Sequence, residues 1–424
     1  MNNNYFDSST TIASLTRNLS LSLLLVISLC SPSFGQVTKA EIVDNPIVKD
    51  DQVTIRVKVK GKEDKPVIDL QDTNFSLLVD RQPVNFNSQD WKSAKETVPP
   101  PAWIIVLLDY SGSMRNRDKQ GGTKLQGAIN AIREFNQAIA ERGGNTHIAI
   151  VPFGEPGTNC NGNPVTKQEL DKFFSAGDVK IKNNLDYLAN QIPCASTNIY
   201  QPLTKAIRFL GDTTDQRFYV EKNSNQPQPR LSVILLSDGY HNKPNEAEDF
   251  EQLIDLLKRN PQIVVHTLGY GLTPEQLGRK YALNRPAKRS DIGQGLGTVP
   301  EDEFVDRERL AAIANASGGI AAFSPDAKAV TEKLNLFLDA LLGEYEITYT
   351  EPNPRRYSVH NVSVKVDSKV ISDEKPYRMG GFGNSLPFQV RIVMLLLVFI
   401  ALVGGGFIPF SIWADKLKRE AEEG

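Results

Sequence analysis

The strongest constraint on the fold of this 424-residue chain is a series of strongly apolar runs that alternate with amphipathic segments. The runs are Trp103 to Leu108, Ile148 to Phe153, Leu231 to Leu236 and Ile263 to Leu268. The first run is continuous, as expected for a strand that is buried on both faces of a parallel sheet. The runs therefore predict four strands at the centre of one sheet.

The segments between and after these runs have the periodicity of amphipathic helices. The apolar side chains at helical spacing are Leu125, Ala128, Ile129, Ile132, Phe135 and Ile139, then Phe250, Leu253, Ile254 and Leu257, and finally Val330, Leu334, Phe337, Leu338 and Leu341. Strands that alternate with helices indicate a doubly wound, Rossmann-like α/β domain. We place this domain at residues 101–342, after the stiff Pro99 to Pro101 boundary.

The segments on both sides of the α/β domain have the period of β-strands. Apolar residues alternate with polar ones from Val53 to Val59 and again from Tyr345 to Tyr349. A polar stretch over 80–83 predicts a hairpin. We expect β-sandwich-like segments at 37–98 and 343–367 that complete one another.

The two termini carry apolar stretches of different lengths. The run from Leu19 to Cys30 precedes small residues up to Gly35, which predicts a signal peptide over 1–35. An uncleaved N-terminal anchor is the alternative. Under either interpretation, the chain that follows is exported from the cytoplasm. Residues 392–413 are 22 residues without a charge, enough to span a bilayer core of about 30 Å. The alternative for this stretch is a buried core helix.

These features predict a single-pass protein of the cell membrane. Its large domain lies outside the cytoplasm, in a periplasm or at the cell surface. A loose stalk over 368–391 leads to the transmembrane helix, and a short tail over 414–424 lies in the cytoplasm. The net charge of −2 offers no basic field for nucleic acid.

Two of the three cysteines lie outside the predicted signal peptide. Cys160 and Cys194 would lie in an oxidising compartment, where such thiols commonly form a disulfide. A disulfide is therefore predicted, with two buried free thiols as the alternative.

Acidic and hydroxyl side chains follow two of the predicted strands. Asp109-Tyr110-Ser111-Gly112-Ser113 comes directly after the first apolar run, and Ser237-Asp238-Gly239 comes after the third. Ligands of open α/β sheets bind outside the carboxyl ends of the strands. Oxygen donors of this kind suit a hard divalent cation. The alternative is a pair of strand ends capped by side chains that bond to the backbone.

A third element, Ala195-Ser196-Thr197, precedes a predicted helix that begins near Pro202. With it, residues 101–342 resemble the von Willebrand factor A family. That family has a metal-ion-dependent adhesion site made of a D-x-S-x-S motif, a threonine loop and a later aspartate. The matching positions in this sequence are Asp109, Ser111, Ser113, Thr197 and Asp238.

The resemblance implies how such a site works. The hydroxyls of Ser111, Ser113 and, in the tighter-binding state, Thr197 would bind the cation directly, and the two aspartates would act partly through water. Mg²⁺ suits this arrangement, with Mn²⁺ or Ca²⁺ as alternatives. One coordination position would remain free for an acidic side chain of a protein partner. The family's last helix, here about 326–342, shifts when the site is occupied; a rigid tether is the alternative.

No other pattern indicates an enzyme. The sequence has no G-x-S-x-G elbow and no H-E-x-x-H zinc motif. His241 follows Asp238 closely, but an exposed loop histidine is the simpler interpretation. The segment Leu272 to Asp306 follows a strand and should lie near the metal face, unless it is a disordered insertion. We therefore expect a recognition protein, with a structural subunit of a membrane complex or a metal-dependent hydrolase as competing classes.

Overall fold

The computed structural model describes residues 37–119, 121–157, 159–221, 226–380, 388–404 and 408–422. The predicted signal peptide lies outside the described residues. The strands are β1 (Lys39–Lys49), β2 (Gln52–Lys60), β3 (Phe75–Val79), β4 (Gln82–Val84), β5 (Trp91–Lys92), β6 (Ala102–Asp109), β7 (Thr146–Phe153), β8 (Phe174–Ser175), β9 (Arg230–Ser237), β10 (Ile263–Tyr270), β11 (Ala321–Ser324), β12 (Tyr345–Thr350), β13 (Val359–Val366), β14 (Val370–Ile371) and β15 (Lys375–Arg378).

Among the described residues, eight helices belong to the α/β domain and two lie near the C-terminus. They are α1 (Lys124–Arg142), α2 (Lys167–Leu170), α3 (Val179–Ala189), α4 (Tyr200–Leu210), α5 (Glu246–Arg259), α6 (Pro274–Lys280), α7 (Arg307–Ala316), α8 (Ala327–Leu342), α9 (Phe388–Leu402) and α10 (Ile408–Glu422).

The central sheet has the strand order β11-β10-β9-β6-β7-β8. Its first five strands in this order are parallel, and the short β8 pairs antiparallel with β7. The predicted mixed α/β class with a parallel sheet is confirmed. The carboxyl ends of β6 and β9 lie side by side, because these two strands are direct neighbours.

Alternate side chains of β6 belong to two separate cores, one on each face of the sheet. Ile104, Val106 and Leu108 pack with apolar residues of α1, α3 and α8. Ile105 and Leu107 pack with those of α4, α5 and α7. All five side chains are fully buried, so truncating one to alanine would cost about 2–5 kcal/mol. This double burial explains why the strand is apolar throughout.

Two smaller sheets combine strands from before and after the α/β domain. One has the order β1-β2-β12-β5, and the other has the order β14-β13-β3-β4 with β15 beside β13. Tyr345 of β12 lies opposite Val57 of β2, and Val364 of β13 lies opposite Leu77 of β3. Apolar side chains of both sheets form one common core.

A buried ionic cluster lies where α8 leads into β12. The Glu344 carboxylate accepts from Arg230 Nε at 2.7 Å and lies 3.6 Å from Lys58 Nζ. Burial favours the neutral acid, but the positive charges of Arg230 and Lys58 outweigh it and hold the pKa of Glu344 below its usual value. The cluster ties the α/β domain to the flanking sheets.

The predicted hairpin at 80–83 is confirmed, because β3 and β4 pair antiparallel. Its turn is shorter than the polar stretch: β4 already begins at Gln82, and Asp80 and Arg81 turn the chain with φ of 49° and 64°. One local prediction was wrong. Part of the predicted stalk is not loose, because residues 370–378 contribute β14 and β15, which pair with β13. These strands are too short and polar to show a period in the sequence.

The predicted single helix over 392–413 is not found as one element. Helix α9 ends at Leu402 and α10 begins at Ile408, and residues 405–407 lie outside the described part. Within the described residues, no helix is both long enough and apolar enough to cross a membrane.

Candidate metal centre

The two predicted aspartates meet at the carboxyl edge of the central sheet. Asp109 is the last residue of β6, and Asp238 directly follows the neighbouring β9. Asp109 accepts from the backbone N–H of Ser111 at 2.8 Å and from the Ser237 hydroxyl at 2.5 Å. Both carboxylates are fully buried, so the pairing of β6 with β9 brings two acids together out of water.

The serine hydroxyls of the D-x-S-x-S loop lie against the Asp238 carboxylate. Ser113 Oγ donates to Asp238 Oδ1 at 2.7 Å, and Ser111 Oγ lies 3.4 Å from the same oxygen. The two serine hydroxyls are 2.9 Å apart. Three of the five predicted ligands, Ser111, Ser113 and Asp238, thus form one connected set of oxygen atoms, and Asp109 joins it through the Ser111 backbone N–H.

The threonine loop lies against this set. The Gly112 N–H donates to the Ala195 carbonyl at 3.0 Å, and the Ala195 N–H donates to the Tyr110 carbonyl at 3.2 Å. A Cβ at Gly239 would lie 3.0 Å from Thr197 Oγ1, so the residue after Asp238 must be small. Thr197 is buried beside the aspartate loop, which brings the fifth predicted residue to the site.

A disulfide closes the segment that leads to the threonine loop. The structure joins Cys160 to Cys194, with Cα atoms 5.8 Å apart. Cys194 directly precedes Ala195, whose backbone pairs with the D-x-S-x-S loop. The covalent link therefore restrains the loop that carries Thr197.

Sequence reasoning missed one charged residue of the site. Lys124 is the first residue of α1, and its Nζ lies 2.6 Å from Asp238 Oδ2. Thr123 caps this helix by accepting from the Gln126 N–H, which fixes where the lysine stands. The only signal in the sequence was its position one residue after a helix cap, shortly after the D-x-S-x-S motif.

The electrostatics of the site favour a cation. Burial and the nearby charge of Asp238 both raise the pKa of Asp109 above its ordinary value. A divalent cation between the acids would relieve this repulsion. The donor set consists of carboxylate and hydroxyl oxygens, which suits hard cations such as Mg²⁺. Within the described residues there is no group of three or more His, Cys, Asp or Glu side chains that could hold a metal.

The prediction for His241 was wrong, because this side chain is 2% exposed rather than on an open loop. Its ring stacks on Tyr200 at 4.0 Å between centroids, and neither ring nitrogen has a hydrogen-bond partner. Burial lowers the pKa of His241 to about 4, so the ring is neutral at physiological pH. The histidine therefore packs as a neutral ring against Tyr200.

The segment over 272–306 forms a wall beside the metal centre. It contains α6 and has its own apolar core of Leu277, Ala287, Val299 and Phe304. With the metal-site loops it lines a cleft of about 520 Å³. The cleft reaches from Ser111 and Thr197 to Glu301 and Asp302. The segment is therefore structured and lies at the metal face.

A doubly wound α/β domain with acids and hydroxyls gathered at the carboxyl edge of its sheet defines a class of cation-dependent binding modules. Residues 104–300 match the family model of the von Willebrand factor type A domain. The α/β part of this chain is thus a von Willebrand factor type A domain. Among curated proteins, no sequence matches the chain.

Several solved structures are similar to parts of this chain at low identity. An aerotolerance-related membrane protein from Bacteroides fragilis is 15% identical, over 56% of this chain and 98% of that one, with a TM-score of 0.34. BatB from Bacteroides thetaiotaomicron is 16% identical, over 56% and 99%, with a TM-score of 0.33. Proximal thread matrix protein 1 from the mussel byssus, with zinc in its MIDAS motif, is 15% identical over 57% and 48%, with a TM-score of 0.30. Similarity at this level carries no argument about function.

Proposed function

We propose that this protein recognises a protein partner through a divalent cation held by the von Willebrand factor type A domain. The partner supplies an acidic side chain to the coordination position that the protein leaves free. The observation that carries the proposal is the group of buried oxygens of Ser111, Ser113 and Asp238, with the buried Asp109 carboxylate beside it. Lys124 balances one of the two carboxylates, and the repulsion that remains between desolvated carboxylates favours a bound cation.

The proposed ligands of the cation are Asp109, Ser111, Ser113, Thr197 and Asp238. Hydroxyl donors leave more positive charge on the metal than carboxylates do. The bound cation would therefore act as a Lewis acid toward an incoming carboxylate. Mg²⁺ is the favoured ion because it accepts oxygen donors and retains water ligands, with Mn²⁺ and Ca²⁺ as alternatives.

We further propose that the protein is anchored in the cell membrane with its binding domain outside the cytoplasm. The apolar side chains of α9 support this, since Leu395 and Phe399 are more than 60% exposed in the folded chain. A helix face of this kind is stable only when lipid or protein covers it. The Cys160–Cys194 disulfide agrees with an oxidising compartment. The division into 37–98, 101–342 and 343–367 and the short cytoplasmic tail over 414–424 belong to this proposal.

Recognition is preferred over catalysis for a physical reason. A metal-dependent hydrolase needs a general base beside the metal-bound water. The candidate base that the sequence offers, His241, is covered by the Tyr200 ring. Asp109 and Asp238 already accept hydrogen bonds from serine hydroxyls.

The test is capture of partners by the full chain from solubilised membranes, with Mg²⁺ and then with a chelator. The Asp109→Asn variant keeps the shape of the side chain and removes its charge, so we expect loss of all Mg²⁺-dependent capture. Asp255→Asn, at an exposed position of α5, is the matched control. Thermal unfolding checks that both variants are folded.

The outcomes separate the competing classes. Capture that needs Mg²⁺ and Asp109 supports recognition through the metal. Co-purification of the same partner with and without the chelator would favour a structural subunit of a membrane complex. Turnover of a substrate that depends on the metal would favour the hydrolase.

A further inference from the structure

We infer that the partner segment bound at the metal centre carries a basic residue beside its acidic one, and that Glu301 and Asp302 recognise the basic residue. The inference rests on the proposed function, because the acidic residue is the one that would bind the cation. It names the chemistry of the partner: an acidic side chain and, within a few residues, a lysine or arginine.

The two acids belong to the same cleft as the metal-site hydroxyls. Glu301 and Asp302 line it together with Ser111, Ser113 and Thr197. The Asp302 carboxylate accepts from Asn116 Nδ2 at 3.1 Å. The backbone N–H of Asn116 in turn donates to the Ser113 carbonyl at 2.9 Å. Glu301 and Asp302 form what we call the acidic wall of the cleft. Asn116 therefore joins this wall to the D-x-S-x-S loop.

These carboxylates bond to neutral side chains. Glu301 accepts from Asn242 Nδ2 at 2.7 Å, and Asp302 accepts from Asn116. Both residues are exposed. Among the described residues that line the cleft, the charged ones are these two acids.

Nearby charged groups are bonded elsewhere. Glu303 pairs with Lys280 at 2.5 Å. Arg289 donates to Asp306 at 2.5 Å and to the His241 carbonyl at 2.6 Å. Arg115 donates to the Gly112 carbonyl at 3.2 Å and lies outside the cleft lining. The negative charge of Glu301 and Asp302 thus faces the cleft.

The acidic wall is held in place before any partner binds. Leu277, Val299 and Phe304 are buried in the core of the 272–306 segment, with Val299 two residues before Glu301. A fixed wall costs less conformational entropy on binding than a loop that must first become ordered. With a cation at one end and two carboxylates on the wall, the cleft is complementary to a segment that carries charges of both signs.

The experiment selects displayed random peptides on the full chain, solubilised in a mild detergent, in the presence of Mg²⁺. Three proteins are compared: wild type, the charge-swapped Glu301→Lys/Asp302→Lys variant, and the control Glu248→Lys/Glu251→Lys. The control makes the same charge change at exposed positions of α5 outside the cleft. Thermal unfolding and circular dichroism show whether each variant is folded.

We expect acidic residues to be enriched on all three proteins. Wild type and control should also enrich lysine or arginine within about four positions of the acid. The charge-swapped variant should lose this second preference and enrich acidic neighbours. The affinity of one selected peptide should fall about three- to tenfold on the charge-swapped variant, the effect expected of two partly exposed ion pairs. If that variant fails to fold, Glu301→Gln/Asp302→Asn replaces it, and the basic preference should then weaken without reversing.

Two results would contradict the inference, and they have different consequences for the proposed function. Acid enrichment that depends on Mg²⁺ but shows the same neighbours on all folded variants would reject the role of Glu301 and Asp302 and leave the proposed function intact. Selection with no Mg²⁺-dependent preference for acidic peptides would reject the proposed function, and this inference with it.

Discussion

The Asp238 carboxylate makes two kinds of contact at the same time. One carboxylate oxygen accepts from Ser113, and the other accepts from the Lys124 ammonium. The lysine side chain is only 10% exposed, so its charge is poorly screened by water. Lys124 therefore offsets part of the negative charge that would attract a cation. It stabilises the two buried acids, and it also weakens the electrostatic attraction for Mg²⁺.

We predict that Lys124→Gln raises the affinity for Mg²⁺ by on the order of tenfold, because it removes a positive charge close to the cation. The same change should destabilise the metal-free protein by about 3–5 kcal/mol, since it breaks a buried ion pair. Calorimetric titration with Mg²⁺ and thermal unfolding in chelator measure the two effects. Lys328→Gln, at an exposed position of α8, is the control. An unchanged Mg²⁺ affinity would show that Lys124 does not act on the cation.

At the scale of elements, the site depends on loops that are held by their neighbours. The Ala195–Thr197 loop makes four backbone hydrogen bonds, two to residues 110–112 and two to Glu155, and it is also held by the disulfide at Cys194. Four hydrogen bonds contribute about 2–6 kcal/mol together. The covalent link contributes about 2–4 kcal/mol, so it adds a comparable amount to what positions Thr197.

We predict that the Cys160→Ser/Cys194→Ser double variant loses about 2–4 kcal/mol of unfolding free energy. Its Mg²⁺ affinity should fall as well, because the threonine loop must become ordered when the cation binds. Denaturant unfolding and calorimetric titration measure these changes. Wild type under reducing conditions should match the variant. Alkylation of both thiols in the unreduced protein would contradict the prediction.

At the scale of the whole molecule, the last helix of the α/β domain is clamped to the flanking sheets. Lys58 of β2 donates to the Ala340 and Leu341 carbonyls at 3.1 and 2.8 Å, at the end of α8. Glu344 then joins Arg230 and Lys58. Breaking such a buried cluster costs about 3–5 kcal/mol, whereas coupling between sites typically supplies about 1–3 kcal/mol. This comparison favours a rigid tether over a helix that shifts on binding.

We therefore predict that α8 does not move along its axis when the site is occupied. Spin labels at the exposed positions Glu134 of α1 and Asn335 of α8 report this movement by pulsed electron resonance. Their distance should stay the same, to about 1 Å, when Mg²⁺ and a selected acidic peptide are added. Metal-free protein in chelator is the reference. A change approaching one helical turn, about 5 Å, would contradict the rigid tether. It would support the alternative, in which α8 shifts and transmits a signal along the chain.

The sequence by itself determined the elements whose side chains are buried according to a local period. The apolar run Trp103 to Leu108 predicts β6 because both faces of that strand are covered, and the helical spacing in 330–341 predicts α8. The D-x-S-x-S motif after β6 also singled out residues that the structure brings together. These signals are local, since each depends only on the neighbours of a residue along the chain.

Only the tertiary structure decided the contacts between distant segments. Lys124 and Asp238 are 114 positions apart, and they meet because β6 pairs with β9 and α1 starts beside that edge. His241 is buried because Tyr200 stacks on it, and β15 forms because β13 offers it an edge. The acidic wall of the cleft arises in the same way. Burial and charge at these positions depend on which elements pack together, and that choice follows from the energy of the whole core and not from any local pattern.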